Sequence, residues 1–155
     1  MQGADYICQV QDIPAQPTVQ VRRVTAVEGL RDVFDASYGA LWGYFAAQGV
    51  EAAGPPFAIY HNMDMSALDM TLGFPVAEPH PGDGNVQGGV FPAGRWATTL
   101  HTGPYDGVGA AYAALEAWAT EQGYTPSGIA CEFYLNDPRD VPPEEYQTQV
   151  MFLLK

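Results

Sequence analysis

The chain has 155 residues, 47% of them hydrophobic and 12% aromatic, with a net charge of −12 from six Lys+Arg against 18 Asp+Glu. That supports one domain with its own core and argues against disorder, while the absence of any basic stripe (the only lysine is Lys155) argues against direct nucleic-acid binding. No apolar run reaches transmembrane length, the first residues lack a basic n-region, and two cysteines, Cys8 and Cys131, are too few for a disulfide framework or a metal cluster; a cytoplasmic protein without membrane contact is expected.

In chain order, "PTVQVRRVTA" reads as a strand. A helix follows from about Leu30, with Val33, Phe34, Tyr38, Leu41 and Phe45 at three-to-four spacing, and Gly49 stops it as a C-cap glycine. "PFAIYHN" and "LDMTLGFPV" are two further strands, and "AEPHPGDGN", residues 77–85, lacks periodicity and reads as a linker. Then come "GGVFPAG", the strand "RWATTLHTG", a helix from about Gly107 to Gln122, and the strands "ACEFYLN" and "YQTQVMFLL". Asp106 is placed to cap the second helix and Gly123 to end it.

The order repeats because the sequence does. Tyr38–Asn62 laid over Tyr112–Asn136 at an offset of 74 gives eight identities in 25 positions without a gap. They include Tyr38/Tyr112, Leu41/Leu115, Gly49/Gly123, Tyr60/Tyr134 and Asn62/Asn136. Thr25/Thr99 and Gly29/Gly103 extend the same register upstream, and Trp96 falls on Arg22. Two copies of one module are expected, pairing into one sheet.

The stretch "GIACEFYLND", residues 128–137, alternates Ile129, Cys131, Phe133 and Leu135 as a half-buried strand does, yet holds Glu132 in its middle. Glu132 falls on Ala58 in the other copy, so the strand itself does not require an acid. Phe133 falls on Ile59, and both are expected to face the helices, which puts Glu132 and Tyr134 on the opposite face with Ala58 and Tyr60. An acid in that company reads either as a solvated strand residue or as the charge in a pocket for an apolar cation, through charge pairing and cation–π contact.

The stretches "FPAGRWATTLHTGPYDGVGAAYAALEAWATEQG" and "CEFYLNDPRDVPPEEY", with "LGFPV" at 72–76, resemble the GyrI-like family, the effector-binding domain also fused to AraC-type and MerR-type regulators. The resemblance spans nearly the whole chain. It implies an α+β fold: a duplicated β-α-β-β module forming a single concave antiparallel sheet, two helices on one face and a ligand cleft on the other. Residues 1–155 would be one such domain, with halves at about 5–76 and 86–155. It implies that Glu132 is the acid the family places in the cleft on its penultimate strand, and that Tyr146 is the aromatic at the start of the last strand. The regulators use this site for lipophilic cations. Some stand-alone relatives are reported as hydrolases of strained cyclopropane-bearing toxins, where Glu132 would be the catalytic general base, and others act through a protein partner such as DNA gyrase. No helix-turn-helix segment is recognisable, so the chain reads as the stand-alone form.

The remaining constellations are weaker. His61 neighbours Asp64 and Asp69 without H-x-H or H-E-x-x-H spacing, so no metal is expected. Ser37, Ser66 and Ser127 lack a nucleophile-elbow context, no phosphate-binding loop occurs, and no cofactor is implied. Trp42 and Trp118 lie on helices and read as core. Trp96 reads equally as cleft lining or packing. The expected ligand-binding set is Glu132, Tyr134, Tyr60, Tyr146 and Trp96, and the expected ligand a small hydrophobic or cationic molecule.

Overall fold

The computed structural model describes residues 6–137 and 139–155. In chain order the strands and helices are β1 (Gln9–Ile13), β2 (Gln16–Thr25), α1 (Leu30–Gln48), β3 (Phe57–Tyr60), β4 (Leu68–Pro75), β5 (Gly82–Asp83), β6 (Val86–Phe91), β7 (Gly94–Thr102), α2 (Val108–Glu121), β8 (Pro126–Tyr134) and β9 (Gln147–Leu154). The fold is α+β and its strand pairings are antiparallel. No helix among the described residues is long and apolar enough to cross a membrane.

The chain divides into two compact units, one from Pro14–Ala93 and one from Gly94–Lys155 together with the chain up to Ile13. In the first, the strands run β3-β4-β2-β6-β5, and in the second β1-β7-β9-β8. Each carries the expected β-α-β-β order, as β2-α1-β3-β4 and β7-α2-β8-β9. Two peripheral strands cross the expected boundary between halves. Strand β6, from the second half, pairs with β2, and β1, from the N-terminus, pairs with β7. The segment read as a linker contains the short strand β5, paired to β6.

Helix α1 buries Ser37, Leu41, Tyr44 and Phe45, and Phe45 and Trp42 pack their rings on Phe74 of β4. It ends at Gly49, whose φ of +65° is the left-handed conformation that a residue with a Cβ resists. In the second unit, Ala111 and Leu115 of α2 pack on Ala97, Ala130, Val150, Phe152 and Leu154. Burying a leucine such as Leu115 completely contributes about 2 kcal/mol. Asp106 makes no capping bond; α2 starts from Gly107, behind a 3-10 turn over Tyr105–Gly107. Trp42, expected in the core, is 53% exposed, although its ring meets Phe45 and Phe74.

The pairing registers refine the repeat. Ala58–Leu72–Val21 forms a row across β3, β4 and β2, and Glu132–Val150–Thr99 forms the matching row across β8, β9 and β7. The next row is Tyr60–Met70–Arg23 in one unit and Tyr134–Thr148–His101 in the other. The offset is therefore 74 for β3 and β8 but 78 for the flanking strands. The N-caps Gly29 and Gly107 also differ by 78, whereas Gly49 and Gly123, just past the helix ends, differ by 74. Helix α1 has 19 residues and α2 has 14; the second copy lacks about one turn, between the helix start and Tyr112. Trp96 thus corresponds to Thr18, not to Arg22, and Gly29 to Gly107, not to Gly103.

Candidate functional site

Strand β8 carries Glu132 and Tyr134 two residues apart, hence on one face. That face is the one covered by α2, because Ala130 of the same strand packs with Ala111 and Leu115. Tyr112 of α2 donates its hydroxyl to Glu132 Oε2 at 2.5 Å, and Tyr134 donates to Oε1 at 2.9 Å. This corrects the expectation that Glu132 and Tyr134 point away from the helices. The error came from letting Phe133 and Cys131 define the core face of the strand, when Cys131 is fully buried on the opposite face.

The carboxylate lies within a set of aromatic rings. Tyr146, just before β9, stacks on Tyr105 at 4.8 Å between centroids, and Tyr105 meets Tyr134 edge-on at 5.9 Å. Tyr112 also packs on Phe152 at 5.6 Å. Glu132 as a residue is only half-buried, but its carboxyl is the enclosed part. None of the ion pairs among the described residues involves it. Burial pushes its pKa above the ordinary carboxylate range, while the hydroxyl bonds from Tyr112 and Tyr134 and the field of His101 oppose that shift without cancelling it. The phenol of Tyr105 is also pushed up, first by burial and then by Tyr146, Asp137 and Glu132.

Beneath the 3-10 turn lies His101 of β7, 6% exposed. Its Nε2 is 3.0 Å from the Pro104 carbonyl oxygen and its Nδ1 2.9 Å from the Tyr6 hydroxyl. A carbonyl only accepts, so Nε2–H donates to it and Nδ1 accepts from Tyr6 in the neutral ring. A Cβ on Gly107 would come within 3.3 Å of this ring. His101 thereby ties down the turn that carries Tyr105.

Of the residues expected from sequence, Glu132, Tyr134 and Tyr146 come together. Tyr60 ends β3 in the other unit. Trp96 is fully buried and alternates with Ala97, so it lies on the face away from α2 and Glu132. Sequence reasoning missed Tyr112, Tyr105 and His101. Tyr112 was visible as a repeat identity with Tyr38, whose hydroxyl instead bonds the Phe57 carbonyl, and Tyr105 lies inside "GPYDG". His61 bonds Thr71 at 2.7 Å, and no group of three or more metal-ligating side chains exists among the described residues.

The model of the GyrI-like small molecule binding domain matches residues 8–155. The chain belongs to this family. Among solved structures it is similar to the C-terminal domain of EcmrR, with a TM-score of 0.80 and 21% identity over 97% of this chain and 98% of that one. In the complex of EcmrR with DNA, the match covers 97% of this chain and 57% of the regulator, at 20% identity and a TM-score of 0.79. A hydrolase from Listeria innocua matches with a TM-score of 0.71 and 14% identity, over 96% of this chain and 91% of that one. SAV2435 bound to tetraphenylphosphonium matches with a TM-score of 0.64 and 10% identity, over 96% and 94%. At these identities the likeness is one of fold. No curated protein matches in sequence.

Proposed function

We propose that this GyrI-like domain binds lipophilic cations at Glu132, with Tyr105, Tyr112, Tyr134 and Tyr146 supplying the π surface. The observation that carries this reading is the Glu132 carboxyl, enclosed by tyrosines, held by two hydroxyls and outside every ion pair found among the described residues. A buried carboxylate without a counter-ion carries a desolvation cost that an incoming cation offsets, and aromatic faces add cation–π attraction. The similar fold of SAV2435 holding tetraphenylphosphonium is in keeping with it. Calorimetry with tetraphenylphosphonium should give a dissociation constant in the micromolar range or weaker, about −8 kcal/mol or smaller in magnitude. Triphenylphosphine oxide, neutral and of similar size, should bind more weakly; equal affinities for the two would sink the charge argument.

A second reading uses the same carboxylate. A pKa raised by burial makes Glu132 a stronger base, and the hydroxyls of Tyr112 and Tyr134 lie within proton-transfer distance of it. With a strained electrophile in the site, Glu132 would activate water. Turnover of a cyclopropane-bearing substrate that disappears in Glu132→Gln supports this; binding without turnover leaves the first reading alone.

A further inference from the structure

Thr148 lies opposite His101 on β7 and opposite Tyr134 on β8. Directly paired residues share a face, so Thr148 is on the face of Tyr134 and Glu132. It is fully buried, and its Oγ1 has no hydrogen-bond partner among the described residues. The neighbouring polar groups are engaged elsewhere: both His101 nitrogens on Tyr6 and Pro104, and the Tyr134 hydroxyl on Glu132. In the other unit, the matching row places fully buried Met70 at this position. The strand therefore accepts an apolar residue there. A buried hydroxyl without a partner is rare and destabilising, so its presence in this row calls for a reason outside the fold's own packing.

The carboxylate beside it has spare capacity too. An ionised carboxyl offers about four lone-pair sites, and two are taken by Tyr112 and Tyr134. Glu132 and Thr148 are diagonal neighbours on adjacent strands, a separation of roughly 7 Å at the backbone that long side chains close. The two acceptors suit a ligand whose positive centre carries its own N–H donors. Charge-assisted bonds of that kind are the strong ones.

Resting on the reading that Glu132 takes a cation, we propose that Thr148 is a ligand-contacting residue and that the preferred ligands are hydrophobic protonated primary or secondary amines, donating one N–H to Glu132 and another to Thr148 Oγ1. Quaternary ammonium and phosphonium ions bind through charge and rings alone. The matched probes are 2,2-diphenylethylammonium and its N,N,N-trimethyl derivative, titrated calorimetrically at neutral pH. The intact protein should bind the primary amine about tenfold more tightly, about 1.4 kcal/mol. Thr148→Val, equal in shape, should remove about that factor for the amine and leave the trimethyl ion within about twofold; Thr148→Ser should keep the preference. Equal loss for both ions, or no loss for either, overturns the assignment of Thr148 while leaving cation binding at Glu132 intact. Failure of both ions to bind the intact protein overturns both readings. Melting supplies an independent check: Thr148→Val should melt no lower than the parent, and a drop beyond about 5 °C would show the hydroxyl to be held by the fold itself.

Discussion

Replacing Glu132 with Gln tests the enclosed carboxylate most directly. In the unfolded chain the group titrates near the ordinary glutamate value, about 4.3. In the fold burial holds its pKa higher, so between the two values the native protein binds more protons than the unfolded chain. Stability therefore falls as pH rises through that window and levels off above it. Each tenfold displacement of the proton equilibrium is worth about 1.4 kcal/mol. A glutamine amide does not titrate, so the variant should lose this slope. Against that gain, two hydroxyl bonds to a charged acceptor become bonds to a neutral amide, a loss of about 1 kcal/mol each. The two terms oppose each other, so the variant should stay within about 2 kcal/mol of the parent at neutral pH, while tetraphenylphosphonium affinity drops by about tenfold or more. Melting curves from pH 4 to 8, carboxyl-carbon NMR of Glu132 and calorimetry read the three quantities. A parent whose stability is flat across the window, with a variant weaker by more than about 3 kcal/mol, would refute the reasoning and make Glu132 a structural hydrogen-bonding residue.

Two more outcomes follow from the same geometry. Tyr112→Phe and Tyr134→Phe each delete a bond that favours the charged carboxylate, so NMR titration should show the Glu132 pKa rising further. Their cost, about 1–2 kcal/mol, should be larger at pH 8 than at pH 4, where the proton already neutralises the group. Cys131 is fully buried and its thiol is pushed well up by burial, whereas Cys8 is partly exposed. Mass spectrometry after brief alkylation of the native protein should therefore find iodoacetamide on Cys8 and none on Cys131; labelling of Cys131 at a similar rate would contradict the burial.

The helices and the main strands were legible because their signals are local. Three-to-four spacing and a glycine in the left-handed conformation, Gly49, define α1 from Leu30 to Gln48, and alternation defines β2 and β9. What was not legible depends on partners distant in sequence. Strand β1 belongs with β7 and β6 with β2, and no periodicity within a segment says which neighbour it will find. The facing of Glu132 was misread for a related reason. Strand β8 carries bulky apolar residues on one face and Ala130, Glu132 and Tyr134 on the other, and it is the small residue, Ala130, that lets α2 lie close. Apolar alternation, with Phe133 falling on Ile59, made Cys131 and Phe133 look like the helix-facing side. Tyr112 was marked by the repeat, but its role depends on Glu132 lying across from it, which only the correct facing shows.

The refined repeat accounts for the difference between the two copies at the proposed site. Both helices hold a tyrosine over an aromatic of the last strand: Tyr38 meets Phe74 at 5.5 Å, and Tyr112 meets Phe152 at 5.6 Å. In the first copy, α1 has an additional turn before that tyrosine, carrying Phe34 at 6.0 Å from Tyr38, and the rows below are Ala58–Leu72–Val21 and Tyr60–Met70–Arg23. The Tyr38 hydroxyl there settles on a backbone carbonyl. In the second copy that turn is missing; both helices start behind a 3-10 turn, Val27–Gly29 before α1 and Tyr105–Gly107 before α2, and in the second copy Tyr105 takes the place of Val27 and packs on Tyr134 and Tyr146. The rows beneath hold Glu132, Thr148 and His101 instead of Ala58, Met70 and Arg23. Shortening a helix by a turn removes apolar cover from the sheet, and an uncovered apolar strand face would favour aggregation. Polar residues roofed by aromatic rings are the arrangement that tolerates the loss, and they are also what a cation-binding site requires. Restoring the turn, by inserting four α1-like residues between Gly107 and Tyr112, should therefore raise stability and abolish ligand binding together only if Glu132, Thr148 and His101 are replaced as well. With those residues kept, the added turn would press apolar side chains onto an enclosed carboxylate and should destabilise the domain, as thermal melting of the two insertion variants would show.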